Sequence, residues 1–191
     1  KEAAYSEVGQ YSVAIKMIEA LGFLPVIIQK SLAPAITRAR MEDKLKYQDR
    51  LLNQYRLMFL LFLITSIPLY FLAEPVIVLL YGEPYRTAGA LLALFAIRLF
   101  FTNMGVAKSS FITNESLFKY SLSTAVVGAT VNIVLNYFLI PPFKSSGAII
   151  ATIISFFVST FLMDLLFKET RANLKWMCMG MLSFWKINRA V

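Results

Sequence analysis

The feature that most limits what this chain can fold into is a series of long apolar stretches separated by short, charged connections. Each stretch is close to the about 20 residues that an α-helix needs to cross about 30 Å of hydrocarbon. The stretches cover residues 12–36, 57–81, 88–113, 117–140 and 147–167. They are longer than the about 9–11 alternating residues of a barrel strand. The sequence therefore predicts an all-α integral membrane protein, a polytopic bundle of about five transmembrane helices.

The composition excludes several classes of protein. Hydrophobic residues make up 58% of the chain and charged residues only 16%, against about 45–50% and about 25% in soluble domains. Histidine is absent and Cys178 is the single cysteine, so an ordinary zinc site and an internal disulfide are both excluded. The sequence has no phosphate-binding loop and no nucleophile elbow. We therefore expect neither a cofactor nor an enzyme.

The basic residues outside the spans predict the orientation of the chain. Most lie in the connection over residues 37–56, near Lys119 and in the tail after residue 167, whereas the opposite connections carry only Arg86 and Lys144. The positive-inside rule places the richer side, with the C-terminus, in the cytoplasm. The net charge of +8 is thus explained by membrane topology and anionic lipid head groups, and we expect no nucleic-acid partner.

The chain divides into three parts by composition. Residues 1–11 are interpreted as the remnant of an external loop, because the chain starts without methionine and resembles a truncation. Residues 12–168 form the predicted five-helix bundle. Residues 169–191 form a predicted cytoplasmic tail with an interfacial amphipathic helix, since Trp176 and Trp185 flank an apolar stretch and tryptophan prefers that zone. A short sixth span is the alternative for the tail.

Charged residues inside the predicted spans are the first candidates for function, because burying a charge in a bilayer is costly. In the first span Lys16 and Glu19 are three residues apart and can pair on one helix face, and Lys30 shares that face. These residues either line a water-filled cavity or neutralise each other, with Lys30 reaching the cytoplasmic interface through its long side chain.

Arg98 is the sharpest candidate, because it falls near the middle of the third span, too deep for its side chain to reach water. Thr102, Gly105 and Ser109 follow at helical spacing on the same face. Such a face is typical of a wall that meets water or a protein partner. The alternative is a structural role, in which Arg98 forms an interhelical salt bridge or binds backbone carbonyls.

The fourth and fifth spans carry weaker polar faces. Asn132 and Asn136 lie near one face of the fourth span, where they either line the cavity or bond to a neighbouring helix. The fifth span has small residues at helical spacing, namely Ala148, Thr152, Ser155 and Ser159. Small residues allow close helix packing in membranes, which is the preferred interpretation there.

Three segments resemble one transporter family. Residues 8–23 (VGQYSVAIKMIEALGF) are similar to the helix that opens the second half of polysaccharide flippases. Residues 79–96 (LLYGEPYRTAGALLALFA) resemble their external loop and following helix, and residues 132–155 (NIVLNYFLIPPFKSSGAIIATIIS) resemble their most recognisable stretch. The family is the Wzx-type flippases of O-antigen and exopolysaccharide synthesis, within the multidrug/oligosaccharidyl-lipid/polysaccharide exporter superfamily.

The resemblance implies a MATE-like fold of two lobes, of which this chain supplies most of the second as a C-terminal portion. It implies alternating access of an undecaprenyl-pyrophosphate-linked saccharide across the bacterial inner membrane, with a possible cation gradient as driving force. The implied partners are the lipid-linked substrate, membrane lipids, a first lobe and polysaccharide assembly proteins. Because a guanidinium holds phosphate oxygens in a bidentate fashion, the expected substrate contacts are Arg98 and, more weakly, Lys16. Glu19, Thr102, Asn132 and Asn136 complete the candidate cavity.

Two other functions remain open from the sequence. A multidrug or cation antiporter of the same superfamily would share the fold, but an anionic cavity would suit it better than Arg98. A membrane-embedded glycan-processing enzyme would need catalytic groups in its outer loops, which offer Glu74, Glu83 and little else.

The predicted orientation can be tested with thiol chemistry. In intact cells a membrane-impermeant maleimide should not label Cys178, whereas a cysteine introduced by Ser145→Cys should react. Permeabilised cells, in which Cys178 becomes accessible, serve as the control. Labelling of Cys178 but not of Ser145→Cys in intact cells would show that the orientation is inverted.

Overall fold

The computed structural model describes residues 2–187, and for residues 2–6 it describes only the backbone. These residues form helices and turns without a strand. The α-helices are α1 (Glu2–Leu21), α2 (Phe23–Glu42), α3 (Lys44–Tyr81), α4 (Arg86–Asn114), α5 (Phe118–Phe157), α6 (Met163–Leu166) and α7 (Arg171–Leu182). The prediction of an all-α protein is confirmed.

Within the described residues, 4 helical stretches are long and apolar enough to cross a membrane. They are Glu7–Glu42, Lys44–Tyr81, Glu83–Asn114 and Phe118–Leu166. Their length and composition fit a polytopic bundle in hydrocarbon.

The last of these stretches folds back on itself. Lys144 has φ 51° and ψ −128°, which is not helical, and it follows Pro141 and Pro142, whose nitrogens cannot donate helical hydrogen bonds. After the break Gly147 packs directly on the backbone of Leu139. The predicted spans over residues 117–140 and 147–167 lie on either side of this break.

The N-terminal helices extend further than the sequence indicated. The external loop predicted for residues 1–11 is helical from Glu2 onward, because this segment contains no proline and mostly residues that tolerate a helix. The helix is interrupted at Gly22, where Pro25 provides no N–H for the carbonyl four residues earlier. The predicted span over residues 12–36 is therefore divided into α1 and α2 at Gly22, within one helical stretch over Glu7–Glu42.

Helix α3 begins well before the predicted span at residue 57. The Asp43 carboxylate accepts a hydrogen bond from the Leu45 N–H at 2.8 Å and caps the helix. The 38 residues of α3 extend about 57 Å at 1.5 Å per residue, so its charged N-terminal turns continue beyond the hydrocarbon. The sequence hid this extension because a charged helix and a charged loop have the same composition.

Helices α3 and α4 form the centre of the bundle, and α1, α2 and α5 pack around α4. A first apolar cluster joins α1, α3 and α4 around Phe95 and Ile77, which are both 0% exposed. A second cluster around Tyr55, Met58 and Met104 lies closer to the tail. The two clusters hold α4 in place along its length, so that its polar face has a fixed position.

The tail helix α7 packs on α3. Met177 is fully buried, and Gly180 lies so close to Tyr55 that a Cβ at this glycine would be 2.6 Å from the Tyr55 Cβ. Trp185 remains 66% exposed beyond the helix. One side of the tail is therefore part of the bundle, and the interfacial position of the tail helix stays a prediction.

The close approach at Gly147 generates a stability prediction. A Cβ at Gly147 would lie 2.6 Å from the Leu139 carbonyl carbon, whereas a Cβ at Gly105 meets nothing within 4 Å. We expect Gly147→Ala to lower the unfolding free energy by about 1–3 kcal/mol. The matched control Gly105→Ala should be neutral or stabilising by up to about 1 kcal/mol. Unfolding in detergent measures both; equal stability of the two variants would contradict the tight reversal.

Candidate functional site

Arg98 lies on α4 with its guanidinium between two aromatic rings. Its Cζ atom is 5.9 Å from the Phe95 ring centroid and 5.5 Å from that of Phe156, so both rings offer cation–π contact. The Nε atom is buried without a hydrogen-bond partner. Among the described residues Arg98 forms no ion pair within 4.0 Å. The salt-bridge alternative is thus not seen there, and the guanidinium keeps donors for an anion.

The hydroxyls predicted to share a face with Arg98 are bonded to their own helix. Thr102 donates to the Arg98 carbonyl at 3.2 Å, and Ser109 donates to the Val106 carbonyl at 2.7 Å. Gly105 lines a neighbouring cavity instead. The two hydroxyls of this face are therefore hydrogen-bonded within α4, whereas the Nε of Arg98 has no hydrogen-bond partner.

That cavity is a groove of about 470 Å³ between α4, the two halves of α5 and the turn that follows it. We call it the polar groove. Small, hydroxyl and amide side chains dominate its wall: Gly105, Lys108, Ile112, Ser121, Thr124, Ala125, Gly128, Ala129, Asn132, Thr152, Ser155, Phe156, Ser159 and Thr160. Phe156 belongs to this wall and also contacts Arg98, so the guanidinium lies beside the groove.

Asn132 connects the two halves of α5, and Asn136 bonds to Asn132 within the first half. The Asn136 Nδ2 donates to Asn132 Oδ1 at 3.0 Å, and the Asn132 Nδ2 approaches the hydroxyls of Thr152 and Ser155 at 3.4 and 3.5 Å. Asn136 Oδ1 is buried without a partner. Asn132 thus combines both roles that the sequence allowed, since it bonds across the two halves of α5 and lines the groove.

Lys16 and Glu19 lie apart from the polar groove, on α1. Both side chains are exposed, and within the described part of the chain they form no ion pair with each other. Lys30 on α2 is exposed as well. The structure therefore places these charges on the outer surface of the bundle and does not join them to Arg98 or to the asparagines by direct contact.

A buried ion pair between Lys108 and Asp164 was not among the residues predicted from the sequence. The Lys108 Nζ lies 2.6 Å from Asp164 Oδ1, and the two side chains are only 4% and 0% exposed. The Tyr120 hydroxyl donates to the same carboxylate oxygen, and the Asn173 Nδ2 donates to Asp164 Oδ2 at 3.1 Å. The Tyr55 hydroxyl in turn donates to Asn173 Oδ1 at 2.5 Å. The carboxylate thereby connects α4, α5, α7 and α3.

Lys108 and Asp164 could both have been selected from the sequence, because each is a charged residue inside a predicted span. Lys108 lies within the third predicted span and Asp164 within the fifth. Each is near a span end, where a long side chain or a short helix end normally reaches water. Their pairing depends on which helices are neighbours, and one sequence does not carry that information.

The other ion pairs lie at the ends of the helices. At one end Arg86 binds Glu83 at 2.7 Å and Glu74 at 2.5 Å, which engages the outer-loop carboxylates that a membrane enzyme would need. At the other end Arg40 holds Glu115 through two hydrogen bonds of 2.8 and 3.1 Å. In the tail, partial burial raises the pKa of the Cys178 thiol.

Comparison with known proteins gives one result that covers nearly the whole chain. A family model described as "Lipid II flippase MurJ" matches residues 6–186. The matched range includes every helix that carries the site. Comparisons with curated proteins and with solved structures give no significant match.

Proposed function

The chain belongs to the lipid II flippase MurJ family, and on that premise we propose that it moves an undecaprenyl-pyrophosphate-linked saccharide across the bacterial inner membrane. The family consists of transporters within the multidrug/oligosaccharidyl-lipid/polysaccharide exporter superfamily and not of enzymes. The chain itself is a multi-pass membrane protein. Alternating access between two lobes is the proposed mechanism, as in many transporters built from repeats. In this proposal the described helices belong to the second lobe, and a first lobe is their partner.

The family name favours lipid II, the peptidoglycan precursor, as the lipid-linked saccharide that is moved. The O-antigen and exopolysaccharide units implied by the resemblance of residues 132–155 are the finer alternative. The two kinds of substrate differ in the saccharide and share the diphosphate and the polyprenyl chain. The residues that bind the diphosphate and the polyprenyl chain are therefore the same in the proposal for either substrate.

The single observation that carries this function is the guanidinium of Arg98, which forms no ion pair with any of the described residues. Its Nε is buried without a hydrogen-bond partner, and it sits between Phe95 and Phe156. A diphosphate crossing hydrocarbon needs a cationic partner, and a guanidinium supplies two parallel hydrogen bonds to phosphate oxygens. We assign Arg98 to the diphosphate.

The polar groove supports a place for the saccharide. Its uncharged hydroxyls and the amide of Asn132 both donate and accept hydrogen bonds, which suits sugar hydroxyls. Asn136 is not part of the groove wall, but its side-chain amide donates to Asn132 Oδ1 and so orients the Asn132 amide that is. In this proposal Thr102 belongs to the wall between the diphosphate site at Arg98 and the polar groove. The exposed Lys16 and Glu19 face water when the lobes separate.

The two competing functions receive less support. An antiporter of organic cations would place carboxylates in its cavity, whereas Asp164 is already paired with Lys108 and Arg98 repels cations. A glycan-processing enzyme would use Glu74 and Glu83, which are both bound to Arg86. We also propose the cytoplasmic C-terminus that the basic residues indicate.

The role of Arg98 is tested by measuring transport and protein abundance together. In the full-length protein we expect Arg98→Ala to abolish lipid export at normal abundance, since removing an intramembrane charge eases insertion by about 2.5–3.5 kcal/mol. Arg98→Lys should keep partial activity, because lysine supplies the charge without the planar fork.

Arg38→Ala is the matched control, because Arg38 is an exposed arginine at the end of α2 and should leave transport unchanged. Loss of abundance in Arg98→Ala would assign the residue a structural role instead. Normal abundance together with normal export would show that Arg98 does not hold the substrate.

A further inference from the structure

The ammonium of Lys108 is surrounded by oxygen atoms in a way that no other lysine of the described chain matches. It lies 2.6 Å from Asp164 Oδ1, 3.0 Å from the Tyr120 hydroxyl, and 3.3 and 3.1 Å from the carbonyl oxygens of Ser159 and Thr160. The side chain is 4% exposed. One carboxylate, one phenol and two backbone carbonyls thus form an oxygen cage around a single positive charge.

The backbone is shaped to provide these carbonyls. Residues Val158–Leu162 form a π-helical turn, in which the Met163 N–H bonds to the Val158 carbonyl. Such turns interrupt the regular helical ladder and often occur at functional sites. Here the turn directs two consecutive carbonyls at Lys108. Each carbonyl oxygen has two lone pairs, so it can accept from Lys108 in addition to a helical N–H.

Oxygen donors of this kind are those that bind small hard cations. Irregular helical backbone with exposed carbonyls, together with a carboxylate, forms the alkali-cation sites of several transporters. The cage contains one carboxylate as its only formal negative charge, so a monovalent cation balances it. The Lys108 ammonium fulfils this role through a covalent tether.

We propose that this cage is a monovalent-cation site whose occupant is the chain's own Lys108 ammonium. The tethered charge neutralises Asp164 and holds the π-helical turn to α4 without an inorganic ion. The junction between α4 and α5 therefore keeps its structure regardless of the Na⁺ or K⁺ concentration. Removing the lysine side chain should leave a cage that an alkali cation can occupy.

An inorganic cation would have a route to the vacated cage. Lys108 lines the polar groove together with Thr124, Ser159 and Thr160. Truncation to alanine would therefore open the cage toward a polar space rather than create a sealed, apolar cavity. Polar walls and room for several waters permit an ion to enter with part of its hydration shell.

The test measures the thermal stability of the full chain in detergent, at constant ionic strength, with choline chloride replaced stepwise by NaCl or KCl. Unaltered protein should melt at the same temperature in all three salts. Lys108→Ala should melt lower in choline, and NaCl or KCl should raise its melting temperature in a saturable manner. A shift of about 5–10 °C is expected at a cation concentration about 100-fold above the Kd.

Two further variants keep the outcome decisive. Lys108→Ala combined with Asp164→Asn removes both charges, so it should fold and show no response to Na⁺ or K⁺. Lys30→Ala, which removes an exposed lysine of α2, should behave like the unaltered protein. If Lys108→Ala is as stable as the unaltered protein in choline, the cage needs no cation and the proposal is wrong.

Three other results would also overturn it. Lys108→Ala could remain unfolded in every salt while the double variant folds, which would show that no inorganic ion replaces the ammonium. Choline chloride could raise the stability as much as NaCl and KCl do, which would indicate ionic strength alone. The double variant could respond to cations as strongly as Lys108→Ala, which would place the ion elsewhere.

Discussion

A polar group that leaves water for hydrocarbon must find a partner inside the protein, and the rest of this structure depends on that requirement. Backbone groups meet it by forming helices over nearly all described residues. Side chains meet it by bonding to their own helix, as Thr102 does, or across helices, as Asn132 does. Among the described residues the buried side-chain atoms without a hydrogen-bond partner are Tyr47 Oη, Gln54 Oε1, Arg98 Nε and Asn136 Oδ1, and of these four side chains only that of Arg98 is charged.

Helix α4 shows both outcomes on one element. Lys108 is surrounded by oxygens from other helices, so its charge is fully used in holding the bundle together. Arg98, ten residues earlier, has aromatic rings beside it and a buried Nε without a partner. Breaking the first contact leaves a buried charge unpaired and costs about 3–5 kcal/mol. We propose that the second cation, Arg98, binds and releases the diphosphate without breaking a contact that holds the fold, which is the property that a transport cycle needs.

Features that depend on composition or on residue spacing along one helix could be predicted from the sequence. Features that depend on which helices contact each other could not. Long apolar runs were enough for the helical bundle, and spacing along one helix was enough to place Arg98 at mid-span. The return of the chain at Lys144 was expected only as a loop between spans, although Pro141 and Pro142 mark it. The Lys108–Asp164 pair could not be predicted, because it joins residues from two helices whose contact only the fold establishes. The pairing of Lys16 with Glu19, which spacing along one helix allowed, is not formed within the described chain, where both side chains are exposed.

The proposed movement of a lipid-linked saccharide can be measured as translocation in proteoliposomes. Purified full-length protein would be reconstituted with fluorescent lipid II or with an undecaprenyl-pyrophosphate-linked O-antigen unit, and the label in the outer leaflet would be quenched or cleaved over time. We expect lipid II to cross the bilayer at a rate well above the rate in protein-free vesicles. Transfer of the O-antigen unit alone would retain the flippase and change its substrate. If folded protein moves neither lipid, the proposed flippase function is wrong.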